Sequence, residues 1–350
     1  MAHQTTEFDP SETVSSEYGI FGLPFTEEQS KVILIPVPWE VTTSYGVGAS
    51  RGPEIIRHAS EQIDLFDLET GKAYEAGFFM REISTELLEK GQKYKQMAQE
   101  VMRLRGQLQK DSVQVKDLTN QVNAACEQMT AWVKSQVESV LAAGKIPAVV
   151  GGDHSTPLGA IAALAEKYQG KFAVLHFDAH ADLRLSYQGF QQSHASIMRN
   201  VMTLPIRPQK LVQVGIRDFC EEEYQFIKDS GGKIQTHFDI NLKDRMFAGE
   251  TWHQICQSIA SELPEKVYIS FDIDGLEPAL CPNTGTPVAG GLSLNEAFHL
   301  FKVLANHKKQ VIGFDLNEVS PGTNESSEWD GNVGARVLYK LCGWAVRTNS

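Results

Sequence analysis

In FDAHADLR, directly after the apolar run KFAVLH, Asp178, His180 and Asp182 stand on alternate residues. An extended backbone sends alternate side chains to one side, so two carboxylates and an imidazole would converge at a strand end. Three other segments carry the same residue types: Asp153 and His154 in VVGGDHS, Asp272 and Asp274 in YISFDIDGLEP, and Asp315 and Glu318 in IGFDLNEVSP. Carboxylates gathered in a buried place cannot stay charged without compensation. A pair of metal ions would provide it. A mixed set of carboxylates and imidazoles suits Mn²⁺; Fe, Co, Ni or Zn are compatible, and the histidines disfavour Ca²⁺. Carboxylates can bridge two ions, and ions roughly 3.5–4 Å apart can hold a shared hydroxide as a nucleophile at neutral pH. A lone DxH or DxD is more often an ordinary polar loop. The conjunction favours the metal site, because four strand ends supply candidates and two do so at period-two spacing. Asp153 and Asp315 also fit loop-capping or supporting roles.

The elements that must position these groups can be read from periodicity. VILIPVP, IPAVVGG, KFAVLHF, KLVQVGI, KVYISFD and KQVIGFD are short β-rich runs that end in Gly, Asp or polar residues. They alternate with helical patterns such as TPLGAIAALAEKY and LNEAFHLFKVLAN, and Pro53 suits the first turn of a helix after a glycine-marked loop. Alternation of this kind predicts a central, mostly parallel sheet with helices on both faces. Ligands then bind at the carboxyl ends of the strands. Between 83 and 143, Leu104, Leu108, Val115, Leu118, Val122, Met129, Val133, Val137 and Leu141 recur at spacings mostly of three, four or seven. This predicts an amphipathic helical insertion, broken near Lys110 to Ser112, that covers the sheet; strict heptads for a coiled coil are missing. Residues 1–30 read as a polar arm, suited to packing on a neighbouring subunit, and 31–350 as a single domain.

Composition narrows the partners. The 32 Lys and Arg against 44 Asp and Glu give a net charge of −12, with no basic tract to bind phosphates, so nucleic acid is not expected and a small cationic substrate is favoured. Five scattered cysteines without CxxC spacing suggest neither a disulfide framework nor a cysteine zinc site. No signal peptide or membrane-spanning run is evident, and a reducing cytoplasm is the expected location.

GGDHS at 151–155, DAHAD at 178–182 and SFDIDGLEPALCPNTGTPVAGGLS at 270–293 resemble the three signatures of the ureohydrolase family of arginases and agmatinases. The similarity spans about residues 30 to 345. The resemblance implies a three-layer arginase-like fold of about eight strands, two Mn²⁺ ions (Ni²⁺, Co²⁺ or Fe²⁺ being possible), release of urea and a trimeric or hexameric homo-oligomer. His154, Asp178, Asp182 and Asp272 match the ligands of one ion. His180, Asp178, Asp272 and Asp274 match those of the other, so that Asp178 and Asp272 bridge. His194 in QQSHAS matches a proton-shuttling histidine, and Glu318 in NEVSP the carboxylate that holds the guanidinium. The implied catalytic residues are therefore His194, Glu318 and Asp182. Gly275 and Glu277 depart from the Val and Asp frequent in the family, outside the ligand set.

The chemistry agrees with those types. A guanidinium carbon is a poor electrophile, so attack needs a hydroxide available near pH 7. The departing amine needs a proton, which His194 could relay, and Glu318 can pair with the planar guanidinium through two oxygens. Substrate choice falls on the loop LRLSYQGFQQSHAS, 183–196, whose pattern is closest to the agmatinase-type branch. Agmatine, cleaved to putrescine and urea, is the expected substrate; arginase, guanidinobutyrase and guanidinase activities use the same site. Glu221, Glu222 and Glu223 could line an acidic outer pocket but fit a helix N-terminus better. Arg184 could meet a substrate carboxylate, and Trp39 and Tyr187 could stack on a guanidinium, although packing explains both aromatics. Two readings compete from outside this class. YISFDIDGL resembles a haloacid-dehalogenase-type phosphatase motif, but leaves DAHAD and GGDHS unexplained. A non-catalytic metal-binding or scaffolding subunit, with the 83–143 helices as its interface, is disfavoured by the intact set of six ligand positions.

Overall fold

The computed structural model describes residues 8–11, 18–107, 112–321 and 327–350. Eight strands form one sheet, β1 (Val32–Val37), β2 (Phe78–Met80), β3 (Ile146–Gly151), β4 (Ala173–Phe177), β5 (Lys210–Ile216), β6 (Ile234–Phe238), β7 (Lys266–Asp272) and β8 (Gln310–Asn317). Their spatial order is β2-β1-β3-β8-β7-β4-β5-β6. Every pairing is parallel, so the sheet is more uniform than the mostly parallel one expected. All six apolar runs became strands. The two strands the periodicity did not reveal, β2 and β6, are the edges of the sheet. β6 reads IQTHF and buries only its first residue fully, so it carries little apolar signal.

Strands buried on both faces send successive side chains to different cores. Val32 and Leu34 join one cluster with helices α1 (Gly52–Ser60), α7 (Asp239–Phe247), α8 (Trp252–Glu262), α9 (Leu294–Asn306) and α10 (Trp329–Thr348). Ile33, Ile35 and Val37 join the other, under α2 (Thr85–Gly106), α3 (Val113–Ala142), α4 (Leu158–Tyr168) and α5 (Ile197–Thr203), with Phe226 and Ile227 of α6 (Glu221–Asp229) packed at its margin. The result is the three-layer arrangement. Each fully buried aliphatic side chain contributes about 1.5–3 kcal/mol by leaving water, so the two cores dominate stability.

The insertion is the α2–α3 pair, and it covers the sheet: Val122, Met129, Val133 and Val137 are buried together with Ile33, Ile35 and Val149. Ser84 and Ser112 cap the two helices, their hydroxyls accepting from the N–H of Leu87 and Val115. Leu108 and Lys110 lie outside the described residues. The expected polar arm is not polar in its packing. Ile20, Phe21 and Leu23 are buried in the chain's own core, and the Phe21 ring meets Phe78 and Tyr339 edge-on. Three apolar residues were enough to fix residues 18–23 there.

Candidate metal centre

The segments VVGGDHS, IGFDLNEVSP, YISFDIDGLEP and FDAHADLR, scattered over the chain, leave the sheet side by side, because β3, β8, β7 and β4 are neighbours in that order. Their carboxyl ends bring His154, Asp178, Asp182, Asp272, Asp274 and His180 together. His154 Nδ1 lies 3.0 Å from Asp178 Oδ2, 3.1 Å from Asp272 Oδ2 and 3.3 Å from Asp182 Oδ2. His180 Nδ1 lies 3.1 Å from Asp274 Oδ2 and 3.4 Å from Asp178 Oδ1. Two sets of donors converge closely enough to hold an ion, His154 with His176, Asp178 and Asp182, and Asp178 with His180 and Asp274. Asp178 is common to both. Asp182 reaches its place through a left-handed backbone at φ 53°, which ends the strand-like alternation.

The donors are oriented by a polar row that crosses the sheet in register. His176 pairs with Ser270 on β7 and Gln213 on β5; Ser270 pairs with Asp315, and Gln213 with Thr236. Ser270 Oγ donates to Asp315 Oδ1 at 3.0 Å and therefore accepts from His154 Nε2 at 2.9 Å. That leaves Nδ1 of His154 free to face a cation. On the other side Gln213 Nε2 donates to His176 Nδ1 at 3.0 Å, so His176 Nε2–H donates to Asp178 Oδ2 at 2.8 Å; with both ring nitrogens engaged, His176 orients Asp178 rather than facing an ion itself. Asp315 thus supports, and Asp153 caps its own loop by accepting from Ser155 N. His176 is the residue the sequence reading missed. Its signal was there, since 176 extends the alternation of 178, 180 and 182 by one step.

Four carboxylates no more than 5% exposed share this space, and their acidities show the strain of it. Burial, reinforced by Asp178, pushes Asp182 up to about 7. Burial, with Asp274 and Asp178, raises Asp272 well above the carboxylate range. Asp178 is held well below that range: burial opposes its charge, but His176, His154 and His180 outweigh it. Burial also works against a charge on His180, yet Asp274 and Asp178 push it up to about 12. The residues therefore fit a doubly charged ion or two, which would supply the positive charge that the carboxylates otherwise obtain from protons.

This dictates a pH dependence. Asp182 and Asp272 have folded values above their unfolded ones, so the stability they contribute is full below about pH 4 and is lost as pH rises, for Asp182 through about 7. His180 acts with the same sign, its contribution declining from about 6.5 upward. Asp178 has the opposite sign and its contribution is lost in acid, as are those of His176 and His194, whose burial also holds them below the ordinary imidazole value. Ion binding requires deprotonated ligands and so strengthens with pH. The melting temperature of chelator-treated protein is expected to fall from pH 5 to 8, while the gap to Mn²⁺-loaded protein widens. A gap that is constant or narrows over that range would refute the charge account.

The remaining predicted residues distribute as follows. His194 lines a cleft with His180, Asp182, Tyr187, Asp218 and Thr286, and its Nδ1 has no hydrogen-bond partner among the described residues. Burial, followed by the nearby His180 and His154, pushes it down to about 3, so its ring is neutral at physiological pH. Glu318, at φ 63°, accepts from His154 N with Oε1 at 2.9 Å. Gly285, without a side chain, leaves room beside its Oε2. Burial and then Asp153 raise Glu318 well above the carboxylate range, a second place where an arriving cation would restore a charge. Trp39 is fully buried and packs against Gly91 of α2, which removes it as a stacking platform. Tyr187 does line the cleft. Glu223 is the capping residue of α6, accepting from Cys220 N, and it also accepts from Leu183 N. Asp218, which the sequence reading passed over, stands at the cleft with its side chain 67% exposed.

The sequence profile of the arginase family matches residues 30–343. The chain belongs to the arginase family. It is a ureohydrolase of that family, and its eight parallel strands enclosed by helices are the family's architecture. Among related proteins, the N(1)-aminopropylagmatine ureohydrolase of Thermus thermophilus is 30% identical over 316 residues, covering 90% of each chain. The agmatinase of Bacillus cereus is 28% identical over 323 residues, 91% of this chain and 93% of its own. The crystal structure of agmatine ureohydrolase from Thermoplasma volcanium superimposes with a TM-score of 0.69 at 24% identity, covering 92% of both chains. No helix among the described residues is long and apolar enough to cross a membrane.

Proposed function

We propose that this arginase-family member hydrolyses agmatine to putrescine and urea with two Mn²⁺ ions, held by His154, Asp178, Asp182 and Asp272 and by His180, Asp178, Asp272 and Asp274. The observation that carries the reading is the pair of donor sets sharing Asp178, whose members His180 and Asp182 line a cleft that also bears an exposed carboxylate, Asp218. Oxygen-rich donors with two imidazoles suit Mn²⁺. Two such ions would supply Lewis acidity and a hydroxide nucleophile near neutral pH. Glu318 pairs with the guanidinium in the space left by Gly285 and holds its carbon toward the Asp178 cluster. His194, neutral and sharing the cleft with Asp182, takes up a proton on its ring and returns it to the departing amine. The products are urea and a primary amine, and every proton is accounted for by the one water consumed.

Agmatine is favoured over the guanidino acids by charge at the mouth. Asp218 offers a carboxylate to an ammonium tail. Arg184, the cation a substrate carboxylate would need, lies 3.7 Å from Glu223 and over the Tyr187 ring, so its charge is already partnered. The Thermus relative supports a second substrate of the same kind, an agmatine carrying an additional aminopropyl arm. On this reading the enzyme works in the cytoplasm, where its five unpaired cysteines would stay reduced, as a trimer or hexamer. A urea-release assay of Mn²⁺- and Ni²⁺-loaded protein against agmatine, N(1)-aminopropylagmatine, arginine, 4-guanidinobutyrate and guanidine tests the reading. Agmatine or its aminopropyl derivative should give the highest kcat/KM. Background release from all five would refute the function, and preference for a guanidino acid would refute the substrate.

A further inference from the structure

The α2–α3 pair does more than cover the sheet, because two of the loops that line the cleft, those of Ser44 and of Tyr187, are tied to it. On α2, Lys95 Nζ donates to Glu40 Oε1 and, at 2.9 Å, to Thr43 Oγ1. The other oxygen of Glu40 accepts from Gly48 N at 2.9 Å and Ser50 N at 3.1 Å. The carboxylate is 5% exposed and fully engaged. It folds the 40–50 segment around itself, and that segment carries Ser44, which lines the cleft and donates to Tyr187 Oη at 3.3 Å. Tyr187 begins the opposite rim. There, on α3, Asn123 Oδ1 accepts from Gln191 N at 3.0 Å, and Thr130 Oγ1 donates to Gln192 Oε1 at 2.8 Å. The Arg105 guanidinium of α2 closes on Gly189, where a Cβ would come within 3.0 Å of it.

We infer that the helical insertion is a specificity scaffold. By pinning the Ser44 and Tyr187 rims from one rigid support, it sets the width of the mouth through which a substrate's tail must lie, and Lys95 is its principal positioning residue. A charge buried opposite Glu40 makes this support stiff, since loss of Lys95 leaves the carboxylate without its cation and the loop without its anchor. Lys95 touches neither the reacting guanidinium nor the metal donors, and its charge is only a minor one among the influences that keep His194 neutral, so its removal acts on tail binding far more than on the chemical step. The substrate part of this inference rests on the reading of the cleft as a guanidino-compound site; the mechanical part does not.

The test uses the full-length, Mn²⁺-loaded protein. In Lys95→Met, amide hydrogen exchange within 40–50 should accelerate about tenfold or more, as expected when a charge-assisted hydrogen bond is lost. KM for agmatine should rise about tenfold with kcat within about threefold of wild type, metal content should stay unchanged, and Lys95→Arg should restore part of the KM. Should Lys95→Met fold poorly, Asn123→Ala combined with Thr130→Val, at the half-exposed surface of α3, should accelerate exchange in 187–192, the part of the rim tied to α3, and raise KM by a larger factor than it lowers kcat. Unchanged exchange in these segments would overturn the scaffold. A fall in kcat at constant KM, or loss of metal, would overturn the separation of rim from chemistry. If wild-type protein releases urea from none of the compounds, the substrate reading fails, and the exchange data still decide whether the insertion holds the rim.

Discussion

Asp178→Ala is expected to reduce metal affinity by roughly a thousandfold or more, equivalent to about 4 kcal/mol at 1.4 kcal/mol per decade, and to bring urea release to background. Asp178 belongs to both clusters of converging donors, whereas Asp272, the other carboxylate proposed for both ions, belongs to neither. Its Oδ2 faces His154 at 3.0 Å and His176 at 2.8 Å, and its Oδ1 faces His180 at 3.4 Å. Removing it takes away the shared negative charge and leaves those imidazoles facing a cavity. The loss should exceed any simple share of the total, since groups that act as a unit are not additive. Asp178→Asn keeps the shape and tests the charge alone. Metal content after dialysis, calorimetric titration with Mn²⁺ and circular dichroism separate lost binding from lost folding. Retention of two ions per chain by a folded Asp178→Ala protein would sink the assignment of the centre.

His194→Ala is expected to lower kcat by about 10²- to 10⁴-fold, the range for a positioned proton-transfer group, with two ions still bound. The reason is its position. His194 lines the same cleft as His180 and Asp182 but has no hydrogen bond at Nδ1 among the described residues, so a proton-accepting atom is held in reserve. Burial and the neighbouring imidazoles keep the ring neutral, ready to accept before it donates. It stands edge-on to Tyr187, with ring centroids 5.7 Å apart, which limits its rotation. Steady-state kinetics with agmatine alongside metal analysis provide the check. Activity within a few-fold of wild type would make His194 a packing residue of the loop. Loss of metal would make it a support of the ligands instead.

Much of the centre was legible because its grammar is local. Alternation in DAHAD, the DxD of FDIDG and the strand-ending GGDHS are each short-range patterns, and a strand's period of two tells which side chains share a side without any knowledge of the fold. The six strands recognised from their apolar runs are the interior ones, where burial on both faces forces continuous apolar residues. β2 and β6 escaped because an edge strand has fewer neighbours to bury it. The same logic explains His176, which sits inside an apolar run. There its neighbours argue for core, and only Gln213 and Asp178, at the ends of its two hydrogen bonds, show that it serves the centre.

By itself, the sequence determined the residue types at each strand end, the side to which they point, the parallel α/β class and the covering role of the 83–143 helices. Only the tertiary structure decided that β3, β8, β7 and β4, the third, eighth, seventh and fourth strands in the chain, lie side by side. It also decided that Asp315 and Ser270 orient His154, that Arg184 is partnered by Glu223, and that α2 reaches across to hold Glu40. The division has one physical cause. Strand alternation and capping are set by bonds between near neighbours, whereas strand order, cross-sheet register and buried ion pairs are set by contacts between segments separated by tens to hundreds of residues, which no local pattern encodes.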